Sequence, residues 1–77
     1  MKLSELLPGQ AAQVLRVDLP PALQERLRGL NVRPGVRVRA LRRAPFGGGL
    51  LVEAAGVRLA LRDELAAKIE AEGDVCD

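Results

Sequence analysis

Residues 26–46, RLRGLNVRPGVRVRALRRAPF, carry the reading of this chain. They read as a helix end, a tight turn, a strand and the start of a loop. Leu23, Leu27 and Leu30 fall at i, i+4 and i+7, one face of a helix. Asn31 is then a natural terminator, because asparagine, after glycine, most readily takes the left-handed conformation just past a helix. Pro34-Gly35 makes a second turn. Val36-Arg37-Val38-Arg39-Ala40 alternates with period two, which sends Val36, Val38 and Ala40 to a core and Arg37 and Arg39 to water.

Outward from this stretch, the same logic assigns the remaining elements. Leu3 and Leu6 are spaced like one helical turn, with Ser4 as its cap. Ala12 to Asp18 is a first strand whose imperfect alternation implies a bulge or burial on both faces. Pro20-Pro21 starts a helix over Ala22–Leu30. Val36–Arg43 is a second strand, and Ala44–Gly49 is a loop with Gly47-Gly48-Gly49 at its tip. Leu50–Ala54 and Val57–Leu61 form a hairpin around Gly56, with Val38, Val52 and Leu59 as core positions. Asp63 is expected to cap a short helix to about Lys68, and Ile69–Ala71 a last strand.

The order and spacing of these pieces resemble the ferrous iron transport protein A (FeoA) family. The resemblance rests on Arg26-Leu27, Leu30-Asn31-Val32, Pro34-Gly35, Val36-Arg37-Val38, Arg43-Ala44-Pro45 and the run Gly56-Val57-Arg58-Leu59-Ala60-Leu61-Arg62. Three departures touch turns and rims: Asn31 for the usual glycine, Val57 for a common aromatic, and Gly48-Gly49 for a frequent Asp-Pro. The expected fold is mostly β, a small SH3-like barrel of about five strands with one main helix and a short C-terminal helix. The domain is expected over 1–71, with an acidic, disordered tail over 72–77.

Composition narrows the chemistry. The chain has 77 residues, a formal charge of +2, no histidine, one serine and one cysteine. Without histidine the common general base near neutral pH is missing, and neither Ser4 nor Cys76 has a base beside it in the sequence. We therefore expect no enzyme and no catalytic residues. Iron and zinc sites favour His and Cys, so no metal site and no cofactor are expected. The glycine run lacks the Lys-Ser/Thr of a phosphate loop. No apolar run approaches the roughly 20 residues of a membrane span, and no leader is visible, so a cytoplasmic location without membrane insertion is expected.

The resemblance implies an accessory of bacterial ferrous iron uptake that binds the cytoplasmic GTP-binding region of the permease FeoB. The surface expected to meet this partner joins the helix end to the glycine loop: Leu30, Asn31, Val32, Pro45 and Phe46, flanked by Arg42 and Arg43 as steering charges. Phe46, the single aromatic, either plugs the barrel or anchors the partner. Self-association is left open. The alternative is a nucleic-acid-binding small barrel, favoured by a pI near 9.3 and opposed by the shortage of stacking aromatics. A similar SH3-like domain also ends iron-dependent repressors, where a helix-turn-helix domain would precede it.

Overall fold

A computed structural model describes residues 1–45 and 48–73. A 3₁₀ turn, Leu3–Glu5, precedes β1 (Ala11–Val17), α1 (Pro21–Gly29), β2 (Arg37–Arg43), β3 (Leu50–Ala54), β4 (Val57–Leu61), α2 (Asp63–Ala66) and β5 (Ile69–Gly73). The strands form one antiparallel sheet in the order β4-β3-β2-β1-β5. This is the strand set anticipated from the alternation.

Curvature comes from two bulges. In β1 the register shifts between Val14 and Arg16 against β5, leaving Leu15 as the extra residue, 52% exposed. That bulge is the anticipated one. A second lies in β2, where Ala40 faces Val52 but Arg42 faces Leu51, so Leu41 is extra. A bulge raises local twist and re-aims the side chains beyond it. Val38 and Ala40 point into the core; past the bulge the parity reverses. Arg42 then shares its row with outward Leu51, and Arg43 faces buried Leu50.

The core is aliphatic, as the near absence of aromatics demands. Leu3, Leu6, Val14, Val32, Val38, Leu50, Val52, Leu61 and Ile69 are its largest fully buried members. Val36 and Leu59 pack against it while half-buried; Val36 precedes β2, and Leu59 lies on the sheet's edge strand. Among the described residues β4 pairs only with β3. The β5 edge is covered instead by the N-terminus: Met1 N donates to Ala71 O at 2.9 Å, Ala71 N donates to Met1 O at 2.7 Å, and Lys2 bridges Glu70.

Several local expectations are corrected. Ser4 lies inside the 3₁₀ turn; its N-cap is Lys2, whose N–H donates to Glu5 Oε1 at 2.7 Å. Asp63 is the first residue of α2 and makes no capping bond, Arg62 holding the cap position. Its carboxylate is drawn to Arg43, 3.5 Å away. α1 begins at Pro21, which suits the first turn because proline has no N–H to leave unpaired. β5 continues through Glu72 and Gly73, paired with Gln13 and Ala12, so these two are strand rather than tail. Residues 74–77 lie outside the described residues.

Candidate functional site

The end of α1 is a Schellman turn. Asn31 has φ +69°. Its N–H donates to Arg28 O at 3.0 Å, and Val32 N–H donates to Leu27 O at 2.8 Å. These two bonds satisfy carbonyls that the helix end would otherwise leave open. The motif also brings its two apolar members together, and both Leu27 and Val32 are buried. Val32 is thus 1% exposed and offers a partner no side-chain surface, which corrects its place in the expected contact face. Leu30 is 37% exposed. The Asn31 side chain is tied down on both sides: Nδ2 donates to Ala54 O at 3.5 Å, and Oδ1 accepts from Arg33 at 3.2 Å.

The β2–β3 loop lies at the other end of β3. Ala44 N donates to Gly49 O at 2.9 Å and Gly48 N to Pro45 O at 3.2 Å. Gly49 has φ +112°, and a Cβ there would sit 2.4 Å from Leu61 O. Only glycine lets the loop lie flush on the end of β4. Since Asn31 reaches Ala54 while Gly49 precedes Leu50, the helix end and the loop are separated by the length of β3, about 13 Å at ~3.3 Å per residue. The helix end and the loop thus lie at opposite ends of β3. Phe46 and Gly47 lie outside the described residues.

At the loop end, a cleft of about 240 Å³ opens on the outer face of β2, β3 and β4, its lining including Arg42, Arg43, Pro45, Gly49, Leu51 and Ala60. Leu51 opposes Arg42 on one side and Ala60 on the other, so the three form one row across the sheet. Leu51 and Ala60 were not singled out from sequence. The available signal was an apolar residue at each solvent-parity position, within Leu50-Leu51-Val52 and Leu59-Ala60-Leu61.

The two arginines expected to act alike do different things. The Arg43 guanidinium donates to Ser4 O and to Leu6 O, the latter at 3.2 Å, and sits 3.5 Å from Asp63. It is a clamp between β2, the N-terminal turn and α2, so its part as a free steering charge is corrected. Asp63 Oδ1 is buried without a hydrogen bond among the described residues and relies on this ion pair. Arg42 is exposed and has no hydrogen-bond or ion-pair partner among the described residues.

A second, polar cleft of about 300 Å³ lies by the β3–β4 turn, lined by Arg37, Arg39, Glu53, Ala55 and Gly56. Its charges are largely spoken for. Arg39 donates to Gly9 O at 2.9 Å, and Glu53 opposes both Arg39 and Arg58, lying 3.5 Å from the latter. A carboxylate in the middle of this row works against a polyanion. Among the described residues no group of three His, Cys, Asp or Glu side chains is placed to hold a metal ion. None of their helices is long and apolar enough to cross a membrane.

Comparison with known proteins fits this geometry. A search of curated protein sequences finds no match. Among solved structures, the FeoA protein of Chlorobium tepidum is 36% identical, with a TM-score of 0.92 over 100% of this chain and 73% of that one. The zinc-complexed FeoA of Stenotrophomonas maltophilia, a prokaryotic SH3 domain protein, is 38% identical, with a TM-score of 0.78 over 94% of this chain and 89% of that one. Iron(II) transport protein A of Clostridium thermocellum is 33% identical, with a TM-score of 0.88 over 95% of this chain and 45% of that one. The fold is therefore SH3-like. The FeoA domain family itself matches residues 1–73, and the chain belongs to that family, a small SH3-like protein related to ferrous iron transport.

Proposed function

We propose that this protein is a cytoplasmic accessory of ferrous iron uptake that works by binding the cytoplasmic GTP-binding region of the permease FeoB. Family membership supplies the transport context, and the Stenotrophomonas maltophilia relative has itself been put forward as a ferrous iron transport activating factor. The observation that carries a binding role is the cleft over Leu51 and Ala60, apolar in its floor and edged by an arginine with no partner among the described residues. A binding mode suits this chain better than chemistry, because its sequence has no histidine and its described residues hold no cluster of metal-ligating side chains. Of the surface first expected, Arg42 and Pro45 stay in this site, while Leu30 and Asn31 form a separate, second contact.

The test is a pull-down of the permease's purified cytoplasmic region by the wild-type protein at low and moderate salt, with and without guanine nucleotide. Binding at moderate salt is expected. Absence of binding under all these conditions, with salt-sensitive binding of RNA instead, would replace this reading with the nucleic-acid one.

A further inference from the structure

The cleft specifies more about its occupant than that it is a protein. Its volume, about 240 Å³, falls below the roughly 300–1,000 Å³ of small-molecule sites. It has room for an aliphatic side chain. Its floor, Leu51 and Ala60, is aliphatic and belongs to paired strands, so it is rigid. Among the described residues, Pro45 and the Gly48-Gly49 backbone form one wall.

The charged side chains among the described residues that line the cleft, Arg42 and Arg43, are both cations. No carboxylate of the described residues lines it. The Asp63 carboxylate is 3.5 Å from Arg43 and balances that charge. Arg42 is left exposed at the rim, and the exposed Arg62, whose Cα lies against Gly49, adds a second cation at the end of β4. A guanidinium beside an apolar floor recognises a carboxylate attached close to an aliphatic group, through charge-assisted, often bidentate bonds. The fit to nucleic acid is poorer, since a base needs an aromatic or planar face to stack on and this floor is aliphatic.

We infer that the cleft between Pro45 and Ala60 docks a protein segment in which an aliphatic side chain is followed directly by Asp or Glu, the aliphatic group resting on Leu51 and the carboxylate on Arg42. This rests on the binding role proposed above and names what the partner must present.

Two measurements test it. In the first, ¹⁵N-labelled full-length protein is titrated with acetyl-Gly-Leu-Asp-Glu-Gly-amide and with its neutral counterpart, acetyl-Gly-Leu-Asn-Gln-Gly-amide. The acidic peptide should shift the amides of Arg42, Leu51 and Ala60, with at least tenfold tighter binding than the neutral one. Equal binding, or shifts centred elsewhere, overturns the inference. So do the same shifts on merely concentrating the protein, which would make the occupant a second copy, or on adding oligouridylate.

In the second, Arg42→Glu, Ala60→Gln and the control Arg26→Glu are compared for binding to the permease's cytoplasmic region. All three positions are exposed, and unchanged melting curves confirm folding. Arg42→Glu and Ala60→Gln should each weaken binding at least tenfold, and Arg26→Glu, with the same charge change on α1, less than threefold. If wild type binds and all variants bind alike, the cleft is wrong and the binding role stands. If wild type does not bind, the binding role itself falls.

Discussion

Arg42 and Arg43 are neighbours of identical chemistry, and the structure assigns them opposite energetic weights. Replacing each in turn with methionine keeps most of the aliphatic stem and removes the charge. At Arg43 the loss comprises two bonds from a cation to backbone carbonyls, Ser4 O and Leu6 O, and the ion pair to Asp63. Hydrogen bonds involving a charged group contribute about 1.5–3 kcal/mol each when well shielded. The Arg43 side chain is 38% exposed, so about 1 kcal/mol apiece is more realistic, with ~0–1 kcal/mol for an ion pair open to water. The sum is about 2 kcal/mol. For a domain of this size each kcal/mol moves Tm by roughly 4–8 °C, so Arg43→Met should melt about 8–16 °C below wild type. Arg42→Met removes no contact among the described residues and should stay within ~0.5 kcal/mol. Thermal unfolding followed by far-UV circular dichroism, with urea midpoints as a second measure, reads the difference. Hydrogen exchange gives the location: the Leu6 amide, bonded to Leu3 O at 3.1 Å, should lose protection in Arg43→Met alone. Equal melting of the two variants would refute the clamp and the bulge parity that creates it.

Four other outcomes follow, three of them from single positions. Asn31→Gly should be neutral or slightly stabilising, because it relieves φ +69° and gives up only a long bond to Ala54 and a solvent-exposed one from Arg33, whereas Asn31→Val should cost roughly 1 kcal/mol or more in urea unfolding. Ala55, at φ +49° beside Gly56 at φ +88°, occupies a hairpin turn that prefers Asn or Gly, so Ala55→Asn should raise stability by roughly 0.5–1 kcal/mol. Gly49→Ala should destabilise by about 2 kcal/mol or more through backbone strain and a clash with Leu61 O; a melting point equal to wild type would show that the loop does not lie on β4. Anaerobic calorimetry with Fe²⁺ at neutral pH should give weak or no heat, and a stoichiometric submicromolar site would require ligands beyond those described.

Much of this molecule was legible from local patterns. The β3 residues Leu50, Val52 and Ala54 alternate and are buried as written. The end of α1 was readable because a Schellman turn spans only six residues, and Asn31 is one of the few residues suited to its left-handed position. Such features are decided by the conformational preferences of neighbouring residues, which any sequence displays. The bulge at Leu41 was not readable. Nothing in Ala40-Leu41-Arg42-Arg43 marks one residue as extra; the register is set by which β3 residues lie opposite, and that pairing is non-local. The bulge in turn sends Arg42 outward to the cleft and Arg43 to carbonyls 37 and 39 residues away. The gap between the helix end and the glycine loop was hidden for the same reason, since only the paired sheet shows that each meets a different end of β3. Element types and core faces were therefore set by local preference and periodicity. Which arginine clamps, which one is left exposed at the cleft, and which apolar side chains floor that cleft were decided only when the strands were paired.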